Sequence, residues 1–205
     1  IRDDLVTGVQ TCALPILAHS RDIIHRDLKP ENVMIGAYGE VYVLDWGLAV
    51  GLTERAGFRI PRASDIRGVA GTPAYMAPEM ASCEGHRIGP WSDVYLLGAI
   101  LFRFLTGTVP HAGKSAMSSL QAVSRNEIVT PDADRLEDLD PTGELLNVAL
   151  KAMAAAPADR YQTVGEFQQA VREFESHQES LKLAARAEDA LQSAEQSGDY
   201  TQYSE

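Results

Sequence analysis

The sequence predicts an α+β domain, mainly helical, with one short β-hairpin. Three features carry that reading. The β-prone runs 33–35 (Val-Met-Ile) and 41–44 (Val-Tyr-Val-Leu) flank a glycine-bounded turn at 36–39, which is hairpin patterning. Residues 94–102 form the longest apolar stretch, about half of what a membrane-spanning helix needs, and suit a buried core helix. Beyond it, apolar residues recur at helical spacing almost to the end of the chain.

Taken in order, residues 17–23 suit the end of a helix. Residues 51–71 are polar, glycine-containing and aperiodic, and read as a mobile loop. Ser92 can cap a helix over 93–105, with Gly107 and Pro110 beyond its end. That helix is apolar on most faces through Val94, Leu96, Leu97, Ile100, Leu101 and Phe104. A weaker helix is expected over 115–125. Asp140-Pro141 opens another, carrying Leu145, Leu146, Ala149, Leu150 and Met153 on one side. Thr163 and Glu166 form a capping-box pattern ahead of Phe167, Ala170, Val171 and Phe174. The tail 176–205 is rich in Ala, Glu, Gln and Ser with a thin apolar stripe (Leu181, Leu183, Ala184, Ala187, Leu191). It reads as a helix leading away from the domain, or as the start of a helical repeat.

The 205 residues can bury one sizeable core. The net charge of −11 argues against a nucleic-acid-binding surface, which normally presents a basic face. Two cysteines, Cys12 and Cys83, are too few for a disulfide framework, and a cytoplasmic setting is the expectation. Residues 6–16 read VTGVQTCALPI, which resembles the translation of a common sequencing adapter. The other reading is a natural loop-and-helix segment. The expected organisation is therefore an artefactual segment at 1–16, one folded lobe at 17–175 and a helical extension at 176–205.

The chemistry concentrates in residues 25–32, HRDLKPEN, followed by Asp45-Trp46-Gly47. A carboxylate, a lysine, an amide and a second carboxylate occur there in the order that phosphoryl transfer from ATP requires. Residues 71–79, GTPAYMAPE, and a later Asp-Arg-Tyr at 159–161 complete the set.

Together these motifs resemble the C-terminal lobe of a eukaryotic-type Ser/Thr protein kinase, most like those found in bacteria, over about 17–175. The resemblance implies Asp27 as the catalytic carboxylate, accepting the substrate hydroxyl proton, and Lys29 as the cation facing the γ-phosphate. It implies Asn32 and Asp45 as ligands of magnesium, or of manganese in its place, and ATP as the phosphate donor. Met34 is either the floor beneath adenine or a strand-packing residue. Trp46, ahead of Gly47, stands where the family usually has phenylalanine. Arg26 beside Asp27 implies an activation segment that supplies a phosphate or acid. Ser64 is the preferred phosphosite, and Thr72 positions the substrate hydroxyl. Glu79 is expected to pair with Arg160, Asp93 to hold the backbone near His25 and Arg26, and His25 to act as scaffold. His19, His86, His111 and His177 show no ligand grouping and read as incidental.

No lysine precedes Lys29, and Gly8 is the only earlier glycine, so the glycine-rich loop and strand lysine of the family cannot be identified in this chain. The N-terminal β-lobe is expected to be absent and the fragment inactive alone. Partners implied are ATP and proteins carrying serine or threonine; the C-terminal extension is a candidate surface for protein partners. A pseudokinase-like or adaptor module is the competing reading, and retention of all four chemical groups weighs against it. Small-molecule phosphotransfer is disfavoured by the GTPAYMAPE segment, which resembles a peptide-docking loop.

Overall fold

The computed structural model describes residues 13–56 and 60–197. Helix α1 (Ala13–His19) leads through a turn into β1 (Ile23–Ile24), which pairs antiparallel with β4 (Val50–Gly51). Between them, β2 (Val33–Ile35) and β3 (Val41–Val43) form the expected hairpin, with Met34 opposite Tyr42. Its turn is closed by Gly36 N–H on the Glu40 carbonyl at 2.7 Å. Helices follow: α2 (Pro78–Ala81), α3 (Pro90–Thr106), α4 (Ala116–Ser124), α5 (Ala133–Leu139), α6 (Glu144–Ala152) and α7 (Val164–Ser197).

Helix α3 is the axis of the domain. Val94, Tyr95, Leu96, Ala99, Phe102 and Leu105 are all essentially inaccessible. Helix α6 lies along it, and Gly98 makes the close crossing: a methyl there would stand 2.6 Å from the Ala152 Cβ. The main core adds Leu28, Val43, Met76, Met80, Met153 and Phe167. A smaller cluster of Ile24, Val50, Ala63 and Ile88 seats the loop after β4.

Several boundaries differ from expectation. The first helix ends at His19, and Ile23 is in a strand, because Asp22 turns left-handed (φ 59°) between them. Helix α3 begins at Pro90 rather than after Ser92. Gly89 is the cap, and the Ser92 hydroxyl accepts the Gly89 N–H at 3.3 Å from inside the first turn. Gly107 (φ 73°) ends it, as a left-handed C-terminal residue commonly does. Phe104 is exposed, so the apolar surface of α3 is not continuous.

Asp140-Pro141 opens no helix directly. Helix α6 starts at Glu144, and the buried Asp140 instead accepts the Leu146 N–H at 2.7 Å. Helix α5 has no counterpart in the sequence reading. The segment after Gly51 is not wholly aperiodic: it holds 3₁₀ turns at Glu54–Ala56 and Ala63–Asp65.

The Thr163 hydroxyl accepts the Glu166 N–H at 3.1 Å, while the Glu166 carboxylate takes the Gln162 N–H at 2.8 Å. Helix α7 then runs unbroken to Ser197, packing through Phe167 and Phe174 and leaving Leu181, Leu183 and Leu191 exposed. Of residues 1–16, the described 13–16 are helical and Leu14 packs on the core, which either origin of that segment allows. Cys12 lies outside the described residues. Among these, no helix is long and apolar enough to cross a membrane.

Two histidines that read as incidental are structural. His19 Nε2 meets the Asp93 carboxylate at 2.8 Å. His111 is fully buried, with Nδ1 2.8 Å from the Glu127 carbonyl and Nε2 2.6 Å from the Tyr95 hydroxyl. That hydroxyl also lies 2.7 Å from Asn126 Oδ1, and the Asn126 amide donates to the Met153 carbonyl at 3.2 Å. Burial holds the His111 pKa below its ordinary value, opposed by the Glu127 carbonyl, so the fold favours the neutral ring.

The stabilisation from His111 is complete above the unfolded-state value of about 6.5 and is lost as pH falls through the lower folded-state value. Urea titrations between about pH 7 and 5 are expected to show stability falling with pH in the wild type, and falling less steeply in His111→Gln. Identical slopes would assign the pH dependence elsewhere.

Candidate active site

The segment 25–32 hangs from α3 by one carboxylate. Asp93, with no exposure, accepts the His25 N–H and the Arg26 N–H, each at 2.9 Å. Those bonds hold Arg26 at φ 71°, a left-handed conformation unusual for a residue with a side chain. The His25 ring then bridges two stretches of chain. Its Nδ1 accepts the Asp27 N–H at 3.2 Å, its Nε2 donates to the Leu44 carbonyl at 3.0 Å, and its ring meets Trp46 edge-on at 4.6 Å. His25 thus ties the 25–27 backbone to Leu44.

Asp27 is 5% exposed and is the hub. One carboxylate oxygen accepts the Thr72 N–H at 3.0 Å and the Thr72 hydroxyl at 2.8 Å. The other accepts Lys29 Nζ at 2.8 Å and Asn32 Nδ2 at 3.3 Å. Lys29 also donates to the Thr72 hydroxyl at 2.7 Å, and Asn32 Nδ2 donates to the Asp27 carbonyl at 2.8 Å. Four of the expected residues, Asp27, Lys29, Asn32 and Thr72, thus form one hydrogen-bonded cluster.

Asp45 lies outside that cluster but next to it, since the preceding Leu44 donates its N–H to the Asn32 carbonyl at 2.8 Å. It is exposed, turns left-handed at φ 57°, and accepts the Gly47 N–H at 3.3 Å. A side chain at position 47 would crowd it, with a Cβ 3.1 Å from Asp45 Oδ1. Trp46 is anchored through its indole N–H on the Val43 carbonyl at 3.0 Å. Met34 is 49% exposed, so it is not strand packing in the core. Among the described residues both Asn32 side-chain bonds run through Nδ2, so its Oδ1 and the exposed Asp45 carboxylate are hard oxygens of the kind magnesium takes.

Arg26 is nearly inaccessible, yet among the described residues only its Nη1 finds a partner, the Leu48 carbonyl at 3.3 Å. Nε and Nη2 are buried with none. Burial pulls its pKa below the ordinary value, while Asp93 and Cys83 push the other way. Ser64 is exposed on its 3₁₀ turn, its hydroxyl donating to Asp65 at 3.2 Å, and makes no contact with Arg26.

The segment 71–79 is locked at its far end. Glu79 and Arg160 are both buried and pair bidentately at 2.8 and 2.8 Å. Ser92 donates to the same carboxylate at 2.7 Å, and Arg160 donates further to the carbonyls of Ala154, Trp91 and Ala155. Its guanidinium lies 4.8 Å over the Tyr95 ring. The structure also assembles a group that no motif marked: Arg103 of α3 meets Glu31 at 3.2 Å and the Tyr75 hydroxyl.

A helical base presenting this carboxylate–lysine–amide cluster defines the class, and the family comparison agrees: the model of the protein kinase domain matches residues 6–180, so this chain belongs to the protein kinase family. It is 32% identical over 184 residues to the serine/threonine-protein kinase PknD of Chlamydia trachomatis serovar D, covering 80% of this chain and 18% of that protein. It is 37% identical over 155 residues to PknB of Mycobacterium tuberculosis, covering 76% and 23%. A probable serine/threonine-protein kinase of Corynebacterium efficiens, CE0033, is 39% identical over 151 residues, covering 73% and 22%. The chain therefore spans about a fifth of the length of these relatives.

Removing one side of the buried pair isolates a charge. Arg160→Met is expected to cost about 3–5 kcal/mol in chemical denaturation, because Glu79 keeps only Ser92. Adding Glu79→Gln is expected to recover part of that loss, since the two effects are coupled.

Proposed function

We propose that this domain transfers the γ-phosphoryl group of ATP to serine or threonine hydroxyls of protein substrates. The observation that carries the reading is the Asp27 carboxylate, fixed on both oxygens by Thr72, Lys29 and Asn32. A hydroxyl is a weak nucleophile, and an immobilised carboxylate both aims it and takes its proton as the oxygen bonds to phosphorus. The bond from the γ-phosphorus to the bridging oxygen breaks, and ADP leaves.

Lys29, bridging Asp27 and Thr72, supplies positive charge beside the transferring group. Thr72 holds the hydroxyl-binding side of the carboxylate. Asn32 and Asp45 would hold magnesium, which offsets phosphate charge when bound. Among the described residues no group of three His, Cys, Asp or Glu side chains could hold a metal by itself. Magnesium's usual habit of completing its shell with water and nucleotide oxygens fits that arrangement. Met34, half-exposed beside the cluster, is offered as an apolar contact for adenine. The exposed Met34, Ile35, Tyr42, Leu44 and Trp46 support a reading in which a nucleotide-binding lobe completes the enzyme, so that these 205 residues alone do not transfer phosphate.

The partnerless nitrogens of Arg26 support control by an anion from the activation segment. Thr53 bonds to Asp22 and Thr72 belongs to the cluster, whereas Ser64 is exposed and its hydroxyl donates to the adjacent Asp65. Peptide mapping of active full-length protein is expected to place phosphate on Ser64; active protein unmodified there would remove that assignment.

In the full-length protein, Asp27→Asn is expected to lower phosphate transfer roughly 10²–10⁴-fold with an unchanged melting profile. Near-wild-type transfer from labelled ATP to a generic protein substrate would take Asp27 out of the mechanism.

A further inference from the structure

We propose that Arg103 selects an acidic side chain flanking the phospho-accepting serine or threonine of the protein substrate, an inference that rests on the kinase reading above. Arg103 comes from the last turn of α3 and reaches the two chain segments that hold Asp27. On one side it meets Glu31, which stands between Lys29 and Asn32. On the other it meets the Tyr75 hydroxyl, and Tyr75 donates its N–H to the Thr72 carbonyl at 3.0 Å. Its guanidinium also lies 5.8 Å from the centre of the Tyr75 ring. The arginine is therefore held at the lip of the reactive cluster.

The group is open to solvent: the Arg103 side chain is 39% exposed and that of Glu31 58%. Both recorded bonds of Arg103 use Nη1. Nη2 and Nε make no hydrogen bond among the described residues, which leaves the edge whose parallel N–H groups match the two oxygens of a carboxylate. Glu31 has a weaker claim on a basic substrate residue. One of its oxygens is taken by Arg103, whereas Arg103 keeps a whole two-donor edge open. As a stabilising contact alone, an exposed pair of this kind contributes little, whereas a pre-oriented guanidinium beside the acceptor site supplies selectivity between substrates.

The test uses arrays of serine and threonine peptides carrying Asp, Glu, Lys or Ala at each flanking position. They are phosphorylated by full-length wild-type protein, Arg103→Lys and Arg103→Glu. At one flanking position the wild type is expected to favour Asp or Glu over Lys about tenfold in kcat/KM. Arg103→Lys keeps the charge but loses the fork, so the preference shrinks without changing sign. Arg103→Glu inverts it.

Each comparison is a ratio within one preparation, so a partly misfolded variant does not distort it. The same charge preference in all three proteins, or a wild-type preference for lysine, overturns the assignment. Failure of the wild type to phosphorylate any peptide overturns the kinase reading and this inference with it.

Discussion

A single carboxylate without solvent exposure, Asp93, holds the reactive segment to the helical base. It accepts the backbone N–H groups of His25 and Arg26 and meets the ring of His19. A carboxyl group so deeply buried persists only when its oxygens are satisfied, and here two backbone N–H groups and the His19 ring meet them. The consequence is a backbone bend at Arg26 that no isolated chain would favour. From that bend the direction of Asp27 follows, and with it the positions of Lys29 and Asn32. His25, fixed by the same carboxylate, carries the constraint onward to Leu44 and so to Asp45.

A second buried carboxylate, Glu79, does the same for the segment 71–79. Its pair with Arg160 ties the start of α2 to the turn before α7, and Ser92 links both to the first turn of α3. The two acids therefore converge on one helix: Asp93 lies in it, and Glu79 is bonded to it through Ser92. Thr72, which closes Asp27 from above, sits between these anchored points. A segment fixed at one end only would leave the Thr72–Asp27 bonds exposed to fluctuation of the whole loop. Placing both anchors on the most buried helix of the domain removes that freedom.

The hydrogen-bonded cluster was legible because its members are close in sequence: Asp27, Lys29 and Asn32 fall within a six-residue span, and only Thr72 comes from elsewhere. Helix existence was legible for the same reason, since periodicity is local. Boundaries were less so. Ser92 has the chemistry of a cap, yet Gly89 and Pro90 start the helix earlier, and the serine turns to Glu79. Helix α5 is only seven residues long, so the spacing of Ala133, Leu136 and Leu139, whose two leucines pack on the core, was too short a pattern to mark it. His19 and His111 read as incidental because their partners, Asp93 and the Tyr95–Asn126 pair, are remote in sequence or unmarked by any motif. Arg103 and Glu31 are separated by 72 positions, and only the packing of α3 beneath the 25–32 segment brings them together.

The distribution of polarity over this surface has a physical logic. The groups that act on charge, Asp27, Lys29, Asn32 and Thr72, are paired among themselves, so each is oriented before any ligand arrives. Beside them, Met34, Tyr42, Leu44 and Trp46 leave an apolar face on the hairpin and the turn after it. Charge stabilisation is strongest where water is excluded, because the effective dielectric falls. An open polar cluster with an apolar margin therefore reaches its full electrostatic effect only when something dry covers that margin. Asp45, the one chemical residue left exposed and held by a single N–H, stands at the junction of the two surfaces. The rigid half of this surface is thus built by the helical base, and Asp45, held by one N–H, is the part left adjustable.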